Sequence, residues 1–120
     1  MKLNILIAPL CVMLLTFPSH AADLTKAQQE KLQIAVKDKL LDPDSARFKL
    51  PAYKGGDVYC GLVNSKNRIG GYAGDSIFQA FILKDAPSGF YVLGVGTANP
   101  NDPGTSALIT SCAEKGYAFK

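Results

Sequence analysis

The sequence predicts an α+β fold: an N-terminal helix, an antiparallel sheet of three or four strands, and a short C-terminal helix tied to the sheet by one disulfide. After residue 21, helical periodicity occurs only near the two ends of the chain, and strand-like apolar segments fill the middle. The chain shows no β–α–β alternation, which a parallel sheet would require. We therefore expect antiparallel strands, with the helices covering one face of the sheet.

The first helix is predicted over residues 25–41. Thr25 and Gln28 have the spacing of a capping box, in which each side chain accepts a hydrogen bond from the other residue's backbone N–H. An apolar stripe predicts the buried side of the helix. It consists of Leu32, Val36 and Leu40, with Ile34 and Leu41 beside them. Asp42-Pro43-Asp44-Ser45 ends the helix, because proline disfavours helical geometry in the residue before it.

Four segments are predicted as strands from alternating or continuous apolar residues. They are residues 46–53, 57–63, 76–84 and 90–95. The connections between them are rich in turn-forming residues. These connections are Gly55-Gly56, loop 64–75 and residues 85–89, and a second long loop over residues 99–104 follows the last strand. The final element is a short helix over residues 105–115, with Leu108, Ile109 and Cys112 facing inward and Gly116 as its stop signal.

Residues 1–21 are predicted to be a cleaved signal peptide. An apolar stretch follows Lys2, and small residues place the cleavage after Ala21. A membrane anchor is the alternative, but the stretch is shorter than the ~20 residues that span a bilayer. A lipoprotein signal at Cys11 is a further alternative, but the residues before the cysteine do not meet its requirement for small side chains. Cleavage leaves residues 22–120, which we expect to form a single small α+β domain, periplasmic or secreted.

Removal of the signal peptide leaves Cys60 and Cys112 as the only cysteines, and it leaves no histidine. In an exported protein, two cysteines are expected to pair as a disulfide. Two free thiols or an intermolecular bond are the alternatives, and the wide spacing excludes a C-x-x-C redox site. Twelve basic and ten acidic residues remain, and this net charge of +2 does not indicate nucleic acid or an anionic membrane as a partner.

The segment from Cys60 to Gly74 carries the most distinctive motif of the chain. It reads C-G-L-V-N-S-K-N-R-I-G-G-Y-A-G, and it follows L-D-P-D-S-A-R-F at residues 41–48 after a short spacer. Together they resemble a recurrent pattern, D-P-x-S-A-x-F then C-G-x-V-N-x-K-N-x-x-G-G-Y-x-G, of small exported or envelope-associated bacterial proteins without an assigned activity. The resemblance covers about residues 30–82. It implies an exported bacterial domain and brings no catalytic residue with it.

Loop 64–75 is the candidate binding site. Successive N–H groups around its glycines can form an anion-binding nest, Arg68 offers a forked donor, and Tyr72 adds an aromatic ring with a polar tip. The candidate binding residues are Asn64, Lys66, Asn67, Arg68, Gly70, Gly71 and Tyr72. In the alternative interpretation, the asparagines and glycines only build a tight connection, Tyr72 folds onto the sheet, and the cations are solvated.

No pattern in the predicted mature chain favours catalysis, a metal site or a cofactor. Gly74-Asp75-Ser76-Ile77 resembles the nucleophile motif of GDSL-type hydrolases, but a serine nucleophile of this kind needs a histidine. The absence of histidine also argues against zinc and copper sites. The Asp42 and Asp44 pair lacks the ligand ladder of a calcium loop, and Asn101 with Asp102 is a weak calcium candidate. A carboxylate-only hydrolase stays open, because turns contain Asp57, Asp75, Asp85 and Asp102.

The expected role is a non-catalytic binding module that contacts a protein partner, in the cell envelope or outside the cell, through loop 64–75 and the loop at 97–104. An inhibitor or an immunity-type protein fits the size, the export signal and the disulfide. The alternatives are a structural accessory subunit of a cell-envelope secretion or conjugation assembly, and a small hydrolase that uses carboxylates alone. We expect no nucleic-acid partner and no stable membrane insertion after signal cleavage.

Overall fold

The computed structural model describes residues 23–85 and 89–119. The predicted signal peptide and part of the predicted turn at 85–89 lie outside these residues. The elements follow in chain order: α1 (Lys26–Lys37), a 3₁₀ turn (Pro43–Ser45), β1 (Arg47–Lys49), β2 (Val58–Asn64), β3 (Ser76–Ile82), β4 (Phe90–Val95) and α2 (Pro103–Glu114). The strands form a four-stranded antiparallel sheet in the order β1-β2-β3-β4. The predicted α+β fold is confirmed.

Helix α1 begins with the predicted capping box. The Thr25 N–H donates to Gln28 Oε1 at 2.8 Å, and the Gln28 N–H donates to Thr25 Oγ1 at 3.1 Å. The helix ends at Lys37, four residues before the predicted end. The N–H groups of Lys39 and Leu40 bond to carbonyls three residues back, so the chain leaves α geometry well before Pro43. Pro43 directly restricts the geometry of Asp42, and the α-helix has already ended at Lys37 in a 3₁₀-type turn.

The shorter α1 buries less of the predicted apolar stripe. Leu32 and Val36 are fully buried in the core, and Leu40 is packed against it. Ile34 and Leu41 are exposed. The apolar stripe therefore identified the central contact residues, while the two residues beside it lie at the surface.

Strand β1 is only three residues long, against the eight predicted. It pairs with the end of β2 in the register Arg47↔Asn64, Phe48↔Val63 and Lys49↔Leu62. Pairing stops before Pro51, because proline has no N–H to donate to the neighbouring strand. The Pro51 carbonyl instead accepts a hydrogen bond of 2.5 Å from the Tyr59 hydroxyl. The remainder of the predicted strand is irregular backbone that leads into β2.

Helix α2 lies against one face of the sheet. Cys60 and Gln79 stand side by side on β2 and β3. Cys60 forms a disulfide with Cys112 of α2, and the Gln79 side-chain amide donates to the Ser111 hydroxyl at 3.0 Å. The predicted disulfide, and the predicted link between the second strand and the C-terminal helix, are confirmed. A disulfide is compatible with a protein that folds in an oxidising compartment.

The opposite face of the central strands is buried as well. Tyr59, Phe78 and Ala80 alternate with the residues that face α2, and they are fully buried. Leu32 and Val36 of α1 belong to the same hydrophobic cluster, and α1 contacts β4. The prediction of a sheet with only one covered face is therefore wrong, because β2 and β3 carry large apolar side chains on both faces.

Two tyrosines anchor the end of the chain to the core. The rings of Tyr59 and Tyr117 lie 5.5 Å apart in an edge-to-face arrangement. The Tyr117 hydroxyl accepts a hydrogen bond from the Lys54 N–H at 3.0 Å. Burial raises the pKa of Tyr59 and of Tyr117, because each phenolate would lose hydration, and neighbouring phenols raise both further. Within the described ranges, no helix is both long and apolar enough to cross a membrane.

Candidate functional site

Loop 64–75 is a small hairpin at the connection between β2 and β3. The Asn67 N–H donates to the Gly71 carbonyl at 2.8 Å, and the Ala73 N–H donates to the Ser65 carbonyl at 3.3 Å. Lys66 and Tyr72 face each other across this pair of bonds. The chain reverses at residues 68–70, which form the tip of the loop. The loop therefore has its own backbone pairing.

The two asparagines hold this hairpin from inside. Asn67 Oδ1 accepts hydrogen bonds from the N–H groups of Ile69 at 3.0 Å and Gly71 at 3.2 Å. The Gly70 N–H donates to the Asn67 carbonyl at 3.0 Å. Asn64 Oδ1 accepts a bond of 3.1 Å from the Gly74 N–H. Three successive N–H groups at the tip are thus satisfied within the loop, and in this conformation none of them points to an outside anion.

The glycines of the loop are under different structural constraints. Gly70 has a φ of 83°, in the left-handed region that other residues avoid. Gly74 has a φ of 105°, and a Cβ there would lie 3.1 Å from the Ala98 Cβ. Gly71 has neither constraint, since its φ is ordinary and a Cβ would meet no atom within 4 Å. The fold therefore needs glycine at two of these positions and tolerates a side chain at the third.

Tyr72 is held between two cations. The guanidinium carbon of Arg47 lies 3.9 Å from the centre of the Tyr72 ring, and Lys66 Nζ lies 5.9 Å from it. Both distances are within the range of cation–π attraction. The ring remains 37% exposed. Loop 64–75 therefore presents a fixed aromatic ring next to positive charge.

Arg47 belongs to this cluster, although it lies outside the loop that the sequence indicates as the binding site. The residue is part of the segment at 41–48. Antiparallel pairing of β1 with β2 places Arg47 opposite Asn64, at the base of the loop. The sequence could have indicated Arg47 only through a predicted register of β1 against β2, because this register brings Arg47 beside Lys66.

A hydrogen bond joins the two halves of the motif. The Lys66 N–H donates to Ser45 Oγ at 2.8 Å, and the Ser45 hydroxyl donates to the Asp42 carbonyl at 2.9 Å. The segment at 41–48 thus supports the loop from β1's side.

The tip of the loop carries the most exposed side chains of the site. Ile69 is 92% exposed, and Arg68 beside it is exposed as well. The only ion pair among residues 23–85 and 89–119 joins Lys49 Nζ to Asp75 Oδ2 at 2.6 Å. Arg47, Lys66 and Arg68 thus have no carboxylate partner in this part of the chain, and we refer to these three residues as the basic patch.

The loop at 97–104 lies next to loop 64–75 but serves the start of α2. Asp102 Oδ2 accepts bonds of 3.0 Å from both the N–H and the hydroxyl of Thr105. The Thr97 N–H donates to the Thr105 hydroxyl oxygen at 2.8 Å, and Asn99 Oδ1 accepts from the Asn101 N–H at 3.0 Å. Asp102 therefore acts as a helix cap, which accounts for a carboxylate at this position.

The structure brings together no catalytic constellation within its described ranges. Asp75 is paired with Lys49, and Asp102 caps α2. No group of three or more histidine, cysteine or acidic side chains in these ranges is arranged to hold a metal ion. The remaining candidate carboxylates, Asp57 and Asp85, lie at the surface in irregular segments.

Comparison of the chain with protein-family models, with curated proteins and with solved structures finds no match. The function therefore has to be argued from the site itself.

Proposed function

We propose that this chain is a non-catalytic binding module, periplasmic or secreted, that docks onto a protein partner through loop 64–75. The observation that carries the proposal is Ile69 at the tip, 92% exposed on a loop whose backbone is fixed from inside. A connection between strands needs Asn67 and a glycine at position 70, but it does not need an exposed aliphatic side chain. An isolated exposed residue of this kind on a rigid loop suits insertion into a pocket of a partner.

The preorganised loop favours binding because little conformational freedom remains to be lost. Freezing a flexible loop at an interface costs roughly 0.5–1.5 kcal/mol for each ordered side chain. Here Asn67 fixes the turn, and Arg47 and Lys66 hold the Tyr72 ring. Tyrosine and arginine are also the residue types that dominate binding energy in protein interfaces.

An inhibitor or immunity-type role is the form of binding that we favour. A narrow hairpin with an apolar tip and flanking cations can enter a cleft of a folded protein, as inhibitory loops do. A small disulfide-linked domain gives such a loop a rigid base, because Cys60 on the strand that leads into the loop is bonded to α2. The lack of histidine after residue 21 supports a role without catalysis.

Site-specific photo-crosslinking tests the proposal. A photoreactive phenylalanine analogue replaces Ile69 in the full chain, which is expressed with its native leader and irradiated in intact cells. The matched control places the same analogue at Ile34, an exposed isoleucine on α1. We expect a covalent adduct of defined mass from position 69 and none from position 34.

A pull-down with residues 22–120 provides the second measurement. The matched bait carries Arg68→Ala and Ile69→Ser, because Ile69 is 92% exposed and Arg68 is exposed without a hydrogen bond or ion pair among the described residues. Tyr72 is a poorer choice for substitution, since its loss would also release Arg47. If the adduct is absent at position 69, and both baits recover the same proteins, the loop is only a connection between strands.

A further inference from the structure

The fold places Arg47 and Lys66 beside the ring of Tyr72, and Arg68 lies at the tip of the same loop. Arg47 comes from β1, whereas Lys66 and Arg68 come from the loop. Within residues 23–85 and 89–119, none of the three has a carboxylate partner. The nearby Lys49 differs, because Asp75 neutralises it at 2.6 Å. The charge of the basic patch is therefore available to a binding partner.

We infer that the partner of loop 64–75 presents carboxylate groups around an apolar pocket, and that Arg47 binds these carboxylates together with Lys66 and Arg68. This inference rests on the proposed function. It assigns to Arg47 a binding role that the loop sequence alone does not indicate. It also specifies the partner surface, which has acidic residues around the apolar pocket that receives Ile69.

The contact between Arg47 and Tyr72 prepares the guanidinium for this role. A guanidinium that packs on an aromatic ring keeps its N–H donors at its edge, where they can form a forked pair of bonds to a carboxylate. The distance of 3.9 Å to the ring centre places Arg47 in such a packing contact. The ring thus limits the freedom of the arginine side chain before a partner arrives.

An acidic protein surface fits this patch better than the other polyanions. Binding to single-stranded nucleic acid uses a longer basic groove with several stacking rings. Here one ring has two cations beside it, and Arg68 lies at the loop tip. Stable attachment to an anionic membrane requires an acyl chain or an apolar helix face in addition to basic residues. The loop offers one aliphatic side chain, Ile69, which a protein pocket can surround on all sides.

A titration of the ¹⁵N-labelled mature domain tests the inference directly. The probe is a synthetic peptide in which glutamates alternate with leucines; the comparison ligands are the same peptide with lysines for glutamates, a single-stranded DNA oligonucleotide, and phosphatidylglycerol vesicles. We expect the acidic peptide to shift the amide resonances of Arg47 and of residues 66–72. We expect its affinity to fall about tenfold between low and high salt, because exposed charges are screened.

Charge reversal identifies the residues responsible. Arg47→Glu and, separately, Arg68→Glu should each weaken peptide binding by roughly tenfold or more, because each removes an attraction and adds a repulsion. Lys26→Glu makes the same change of net charge at an exposed site on α1, and we expect an effect below about twofold. Arg68 is exposed and forms no hydrogen bond or ion pair among the described residues, so its variant tests the patch even if Arg47→Glu disturbs the loop.

The outcomes separate this inference from the proposed function. Tighter binding of DNA or vesicles at the same residues, or equal effects of Arg68→Glu and Lys26→Glu, would overturn the acidic-partner inference. Crosslinking from position 69 that persists in Arg68→Glu would also overturn it, while the binding module would stand. Absence of any adduct at position 69, together with equal recovery by both baits, would remove the proposed function, whatever the peptide titration shows.

Discussion

The disulfide offers the sharpest quantitative prediction. Cys60 and Cys112 lie 52 residues apart in sequence and join β2 to α2. In the chain-entropy description, a cross-link that closes a loop of this length removes unfolded-state freedom worth about 4 kcal/mol at 25 °C. Both half-cystines are fully buried, so the double variant Cys60→Ala, Cys112→Ala also loses the packing of two sulfur atoms. We expect a total loss of roughly 4–6 kcal/mol in the free energy of unfolding.

Domains of this size have a free energy of unfolding of about 5–15 kcal/mol. The double variant should therefore lie close to the threshold at which a large fraction of the molecules is unfolded. The assay is urea unfolding of residues 22–120, followed by far-UV circular dichroism, for the oxidised protein, the protein with reductant, and the double variant. As a control, the double variant is also measured with reductant, and its transition should not change, because residues 22–120 of this variant contain no thiol.

The result that would refute this reasoning is equally defined. That result is a loss below about 1.5 kcal/mol in the free energy of unfolding of both the reduced protein and the double variant. It would mean that the packing of α2 on the sheet, through Gln79 and Leu108, holds the helix in place without the disulfide. Loss in the double variant alone would assign the effect to the missing sulfur atoms. Neither result is expected from a bridge that mainly restricts the unfolded chain.

Three further predictions concern the core and the loop. Gly61→Ala should destabilise the fold by about 2 kcal/mol, because the new Cβ would lie 2.6 Å from the buried Phe78 ring. Gly71→Ala is the control and should change the melting temperature little, and thermal unfolding of both variants measures the difference. Asn67→Ala removes the acceptor of two N–H groups at the tip, so we expect faster amide hydrogen exchange at Ile69 and Gly71 and a loss of only about 1 kcal/mol in the free energy of unfolding. Unchanged exchange at these two residues would show that the backbone pairing alone fixes the tip. Tyr59 and Tyr117 have pKa values raised above 10.0, so their contribution to stability is complete below pH 10.0. Above that pH the unfolded chain releases these protons first, and stability should fall by up to about 1.4 kcal/mol per pH unit for each tyrosine. Urea unfolding across alkaline pH should show a shallower fall in Tyr59→Phe, and an equal fall would contradict this explanation.

The sequence was sufficient for features that depend on local patterns. Alternation in residues 57–63 and continuous apolar character in 76–84 predicted β2 and β3 to within two residues at each end. The spacing of Thr25 and Gln28 predicted the capping box, and the two cysteines that follow residue 21 allowed one intramolecular pairing. In each case, the interaction that decides the structure lies within a few residues or has a single possible partner.

Features that depend on tertiary context could not be predicted in the same way. Helix α1 ends at Lys37 although the apolar periodicity continues to Leu40 and Leu41, so periodicity does not mark its end. Burial of both sheet faces depends on how α1 and the irregular segment before β2 pack, and alternation alone does not specify this. The contact of Arg47 with Tyr72 depends on the register of a three-residue strand, and so short a strand carries little pattern to fix that register.

The residues of loop 64–75 divide into those that the fold uses and those that it leaves free. The side-chain oxygens of Asn64 and Asn67 accept hydrogen bonds from backbone N–H groups, so a structural role within the loop explains both residues without a binding partner. Ile69 and Arg68 have no such role, and Ile69, at 92%, has the largest exposed fraction among the exposed large apolar residues that the structure describes. A loop that needed only to connect two strands would gain solubility from a polar residue at position 69. The combination of a fixed backbone and an uncovered apolar tip is therefore the reason to test this loop as a binding element before any other part of the surface.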